Sequence, residues 1–200
     1  MKFNFSFRGG DMSAPKMKQR MQRGFTLVEL LIVTIILAIL AAIVVPQFSA
    51  ATTDAQEGAL DANLSAVRSA IELYRVQHGG NYPGAVAATG ATCPSSGTAG
   101  AGLVGTSQAM LDQLGMFTDA SGKACSTSDG TFRFGPYLRK GMPNNPVTQK
   151  GAVATEIVTT TTGAPIVATA GGGWAYDTKS GQLIANDTAN DGKGKAFSTH

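Results

Sequence analysis

The residues with the clearest chemical potential sit near the start of the 200-residue chain, in Arg23-Gly24-Phe25-Thr26-Leu27-Val28-Glu29. Glu29 is the single charge in the apolar run 25–45, FTLVELLIVTIILAILAAIVV, which contains no Gly or Pro. A carboxylate at the middle of a bilayer costs about 2.5–3.5 kcal/mol on insertion scales and calls for a partner. Nothing nearby in the run can serve. A free α-amino group created at Phe25 would be cationic at neutral pH, with a reference pKa of about 7.7–8.0. Offered by a neighbouring copy, it would neutralise Glu29 within an apolar bundle. Only one stagger between chains satisfies both charges, so the pair would act as a register device.

Elsewhere the chemistry is sparse. The chain has no GxSxG, HExxH, P-loop or Rossmann signature in context. His78 falls at a predicted helix end and His200 is the last residue, and neither has an evident nucleophile or metal partner. The carboxylates beyond Glu29 are scattered without an obvious pair, so a membrane-anchored enzyme is the weakest of the functional alternatives. Cys93 and Cys125 are too few for a disulfide-rich scaffold and form no CxxC motif. In an oxidising compartment a bridge between them, closing about 33 residues, would contribute roughly 3–4 kcal/mol. Two buried free thiols are the alternative.

The elements that position these residues follow from periodicity. As a helix, residues 25–45 span about 31 Å, the thickness of a bilayer's hydrocarbon core. Apolar side chains surround that helix on every side, which suits lipid rather than a half-exposed soluble position. Residues 1–24 carry a net charge of +5, from Lys2, Arg8, Lys16, Lys18, Arg20 and Arg23 against Asp11, and the remainder carries −2. The high pI therefore belongs to the leader. A basic stretch before an apolar run holds that end in the cytoplasm. Nucleic-acid binding would need a denser basic and aromatic cluster than the chain contains.

Pro46 removes a helical hydrogen bond and is expected to kink or loosen the helix there. From 47 to 77 the helical period continues, with Leu60, Leu64, Val67, Ile71 and Tyr74 forming one apolar stripe. Arg68 and Glu72 stand at i,i+4, in the weaker orientation for an ion pair. His78-Gly79-Gly80-Asn81-Tyr82-Pro83-Gly84 supplies the stop. Continuous to 78, the helix would be about 80 Å long. Residues 84–105, rich in Ala, Gly, Ser and Thr, read as an irregular loop, and 107–116 as a short helix. Strands are expected within 131–134, 153–162 and 166–169, with a hairpin of 173–176 and 182–185 around a turn at 177–181. Residues 186–200 read as a loose polar tail. The economical arrangement is α+β: a long, kinked N-terminal helix whose amphipathic half packs on a small antiparallel sheet.

RGFTLVELLIV behind a basic leader, with the Gly24-Phe25 junction and Glu29, resembles the class III signal of type IV pilins and type II secretion pseudopilins. The likeness is strong over about residues 20–50, includes Pro46, and is architectural beyond residue 80. It implies that a prepilin peptidase cuts between Gly24 and Phe25 on the cytoplasmic face and methylates the new amine at Phe25. It implies that Glu29 supports methylation and neutralises the neighbouring subunit's N-terminus. The implied parts are a removed leader (1–24), a transmembrane and assembly half-helix (25–46), an amphipathic half-helix (47–78) and a globular head (79–200). The implied partners are further copies in a filament, the peptidase and methyltransferase, the inner-membrane assembly platform with its ATPase, and the bilayer before assembly. The protein would be single-pass in the inner membrane, N-terminus cytoplasmic, its head periplasmic or, in a filament, extracellular.

Shorter pieces resemble major pseudopilins: Tyr74-Arg75 through Asn81-Tyr82-Pro83, Gly135 to Lys140 with Pro143-Asn144-Asn145-Pro146, and Gly173-Trp174-Ala175-Tyr176 with Gly181 and Ile184. These favour a type II secretion pseudopilin, with a surface pilin for adhesion, motility or DNA uptake as the alternative. No cofactor is expected. Some major pseudopilins bind calcium in a C-terminal loop, but Asp187 and Asp191 are the only acids in the last fourteen residues and lack a ligand spacing. An ordinary signal peptide cut within 38–42 would discard the most distinctive residues.

Overall fold

The computed structural model describes residues 24–94 and 96–200, so the basic leader up to Arg23 lies outside the described residues. The chain divides into two compact units, 1–44 and 45–200. In the first, helix α1 (Leu27–Gln77) begins. Thr26 starts it in the manner of an N-cap: its Oγ1 accepts from the Glu29 N–H at 3.2 Å and its carbonyl from the Leu30 N–H at 3.2 Å. The apolar side chains from Leu27 to Val44 are all exposed among the described residues. The residues of α1 remain helical through Pro46, whose missing N–H costs one backbone bond.

The second unit is organised around the other end of α1. Leu60, Leu64, Val67, Ile71 and Tyr74 are each at most 1% exposed, as their spacing of four, three, four and three requires. The helix ends in a Schellman turn: Gly79 takes φ +64° and the Gly80 N–H reaches the Arg75 carbonyl at 2.9 Å. Helix α2 (Ser107–Gly115) is capped by Thr106, whose side chain accepts from the Ala109 N–H, and it buries Met110 and Leu114. Strands β1 (Phe117–Thr118) and β2 (Ala124–Cys125) pair antiparallel.

A second sheet has the order β3 (Ile157–Thr160), β4 (Trp174–Asp177), β5 (Leu183–Ala185). The expected hairpin is β4–β5, antiparallel with Trp174 opposite Ala185 and Tyr176 opposite Leu183. β3 joins β4 in parallel, Ile157 beside Trp174, and the connection 161–173 is long enough for the crossover a parallel pair needs. Trp174, Tyr176, Leu183, Ala185, Ile157 and Phe197 close on the α1 stripe together with Met110 and Leu114. Each large apolar side chain in that core contributes about 1.5–3 kcal/mol of transfer free energy. The two aromatics of β4 also satisfy their polar tips, Trp174 Nε1 donating to the Pro143 carbonyl and Tyr176 Oη to that of Pro83.

Several expectations are corrected. Residues 131–134 form no strand, and only Phe134 makes an isolated bridge, to Thr118. Residues 166–169 form none either, because side chains capture their backbone: the Ile166 N–H bonds Gln182 Oε1 and the Thr169 N–H bonds Asn186 Oδ1. Glu72 pairs with Arg75 at 3.2 Å rather than with Arg68, whose guanidinium turns to the Leu183 carbonyl. The segment 186–200 is docked rather than loose. Phe197 is 5% exposed, Asn190 bridges Ala196, and the Gly192 N–H donates to Glu57 Oε1 at 2.9 Å.

Candidate functional site

In the first unit the chain leaves Gly24 and Phe25 outside the helix, Thr26 at its cap and Glu29 in its first turn. A Cβ added to Gly24 would meet nothing within 4 Å, and Phe25 is 75% exposed. The Gly24–Phe25 bond thus lies outside regular secondary structure, just before the helix. The Thr26 hydroxyl also points at the Glu29 carboxylate, with Oγ1 3.5 Å from Oε2. The helix N-terminus carries roughly half a positive charge, which favours a carboxylate in the first turn. Gly24 and Phe25 thus directly precede the helix and Glu29 sits in its first turn. Pro46 is part of the second unit, beside a shallow hollow lined by Ser49, Ala50, Thr53, Asp54, Gly192 and Lys193.

From Leu27 to Phe48 every large apolar side chain is at least 42% exposed. α1 is long and apolar enough here to cross a membrane, and none of that window is buried within the chain. An apolar surface of this extent needs lipid or other copies of a like helix to cover it.

The head's polar groups are occupied with holding it together. Cys93 and Cys125 are bonded, with Cα atoms 5.8 Å apart, tying the loop 84–105 to β2. His78 is buried and stacked on Tyr74 at 3.8 Å. Its Nδ1 donates to the Tyr74 carbonyl at 2.8 Å and its Nε2 accepts from Thr118 Oγ1 at 3.0 Å, a pairing that fixes the neutral tautomer. Burial lowers the His78 pKa and raises that of Tyr74. Asp177, fully buried, accepts at Oδ1 from the Lys179 and Ser180 N–H groups and the Ser180 hydroxyl. Its Oδ2 accepts from the Thr160 hydroxyl and the Thr162 and Gly163 N–H groups. Burial acts to raise the Asp177 pKa, but these donors outweigh it and hold the carboxyl well below its usual range. Asp187 Oδ1 accepts from the Ala189 N–H, and Asp191 Oδ1 from the Lys193 and Lys195 N–H groups.

Sequence reasoning missed Thr26, Asp177 and the contacts of segment 186–200. The S/T-x-x-E signature at Thr26–Glu29 could have revealed the first. The others depend on partners distant in the chain and leave no local signal.

Residues 19–45 match the family model described as the prokaryotic N-terminal methylation motif. The chain is 37% identical over 62 residues to the type II secretion system core protein G of Pseudomonas aeruginosa, covering 31% of this chain and 44% of that protein. It is 49% identical over 55 residues to the type IV narrow pilus major component PilA5 of Thermus thermophilus, covering 28% of this chain and 47% of that one. Against the core protein G of Klebsiella michiganensis the identity is 34% over 67 residues, 34% of this chain and 46% of the relative. The matches thus span less than half the length of these curated relatives. No solved structure matches the chain.

Proposed function

We propose that this chain, whose N-terminal segment matches the prokaryotic N-terminal methylation motif and resembles type IV pilins and type II secretion pseudopilins, is the structural subunit of a pilus-like filament. The observation that carries the reading is a membrane-length apolar helix half, exposed along its length, with one carboxylate shortly after the Gly24–Phe25 junction. The precursor inserts with its basic leader in the cytoplasm and its head on the far side of the membrane. A prepilin peptidase removes 1–24 and methylates the Phe25 amine. Assembly then exchanges lipid contacts for helix–helix packing between copies. Each Glu29 takes the Phe25 ammonium of a neighbour, and that pair sets the axial stagger because an unpaired charge in the bundle costs several kcal/mol. The head domains form the outer shell.

The likeness of mid-chain pieces to major pseudopilins favours a secretion filament. The 49% identity to a pilus component favours a surface pilus. Immunogold microscopy of sheared filaments from the native cell, compared with strains lacking the assembly ATPase of either a secretion machinery or a surface-pilus machinery, tests both. The chain is expected along filaments that depend on one of the two machineries. Its absence from any filament would overturn the proposal.

A further inference from the structure

We propose that the turn Leu103–Thr106 is an apolar knob that seats in a hollow on the head of the next copy of this chain, a contact that rests on the filament reading above. In Leu103-Val104-Gly105-Thr106 the Thr106 N–H returns to the Leu103 carbonyl at 3.2 Å. Gly105 takes φ +77°, the left-handed conformation that a type II turn requires at its third position. Turn tips ordinarily carry polar residues, yet Leu103 is 64% exposed and Val104 63%. The pair is held rigidly. The Thr106 hydroxyl also donates to the Leu103 carbonyl, the Gly105 N–H to that of Gly84, and the Ala101 and Gly102 N–H groups to Asp112 Oδ2. Ser107 Oγ donates to the Ala154 carbonyl at 2.8 Å, which brings the exposed Val153 to the same end of α2.

The opposite end of α2 carries the seat. The Tyr137 and Leu138 N–H groups both donate to the Leu114 carbonyl in its last turn. Beside them Leu73, Gln77, Arg133, Phe134, Pro136 and Tyr137 line a hollow of about 360 Å³. Tyr137 Oη donates to Gln77 Oε1 at 2.6 Å, which fixes one wall. Leu73 is 51% exposed, and Val76, a turn further along α1, is open too. A volume at the lower end of ligand cavities suits one or two aliphatic side chains. α2 has nine residues and is about 13 Å long, so the knob and the hollow of one head are kept apart. They are different surfaces, and a contact between them is heterologous. Each added copy leaves a free knob and a free hollow, which extends an open helical array instead of closing a dimer. The size of the contact selects its occupant. A stable pair of separate proteins buries about 800 Å² per partner, which three aliphatic side chains cannot supply. Copies held together by their apolar helix halves present knob and hollow to one another at high effective concentration, where a small contact suffices.

Crosslinking of the full chain in sheared filaments from the native cell tests this. Leu103→Cys and Leu73→Cys in one chain, treated with a short bismaleimide, should give a ladder of dimers, trimers and larger species on a reducing gel. Either substitution alone should give none, because the contact joins two different surfaces. Val104→Cys with Val76→Cys provides a second pair. Leu103→Lys should cut filament yield at least ten-fold, since a charge replaces a leucine buried in the contact. Its urea midpoint in detergent micelles should match wild type, because the side chain is exposed in the single chain. Filaments that give no ladder from either pair, a dimer from Leu103→Cys alone, or a normal yield from Leu103→Lys would overturn the inference and leave the filament reading standing. Absence of the wild-type chain from any filament would overturn both.

Discussion

Glu29 occupies the first turn of α1, where the Thr26 cap and the helix N-terminus partly offset the cost of a carboxylate in an apolar segment. These local terms are each a fraction of the penalty for a charge at membrane depth, so the carboxylate still calls for a cation, which in the proposed filament a neighbour's Phe25 amine would supply. Glu29→Ala should leave the Gly24–Phe25 cut intact, since the junction lies outside the helix, while methylation and filament yield fall at least ten-fold. Peptide mass analysis together with the yield of sheared filaments reads both effects. Normal filaments from that variant would remove Glu29 from the account. Asp177 is the head's counterpart, a carboxylate with every donor inside its own subunit. Asp177→Ala should cost about 2–4 kcal/mol, because the donors of the 160–163 and 178–180 turns lose their shared acceptor. Its folded pKa is lowered, so its stabilisation is complete above the ordinary carboxylate range and is lost as pH falls below about 4. Urea unfolding followed by Trp174 fluorescence at pH 7 and pH 3 should show that loss in wild type, and a smaller one in the variant.

At the scale of elements, the core half of α1 acts as the floor on which the three-stranded sheet rests. Leu64→Ala, at the centre of the buried stripe, should destabilise the head by about 2–5 kcal/mol through lost transfer energy and a cavity. Urea unfolding checks it, and a change under 1 kcal/mol would mean the stripe is not the core. The Cys93–Cys125 bond ties the loop 84–105 to a two-residue strand that also pairs with β1 and exchanges backbone bonds with Ala88 and Gly100. Replacing both cysteines by Ala should lower stability by roughly 3–4 kcal/mol. Reductant should destabilise wild type by a similar amount and leave the double variant unchanged.

The same elements explain how much could be read in advance. The stripe, the Gly79-Gly80 stop and the β4–β5 hairpin were legible because long periodic runs and turn residues carry their own signal. Residues 131–134 and 166–169 were not, since Gln182, Asn186 and a single bridge from Phe134 decide their fate from elsewhere in the chain. The docking of 186–200 was hidden for the same reason, because Glu57, Asp61 and Arg68 lie more than a hundred positions away. Gly24, Phe25 and Glu29, by contrast, lie close together in sequence, so the proposal made for them rests on no distant partner within the chain.

For the molecule as a whole, one unit buries the α1 stripe under its sheet, while the other leaves every large apolar side chain among its described residues exposed. The first unit is complete only in lipid or among copies of itself, and processing at Gly24–Phe25 is what would convert one environment into the other. Gly24→Val should trap the precursor in the membrane at full length, read as an unshifted band on fractionation. The central claim is tested most directly by intact and N-terminal peptide mass spectrometry of the protein from native membranes or sheared filaments. The account predicts a chain that begins at Phe25 and carries one added methyl group. A chain left uncut, or cut near Ala42, would contradict it.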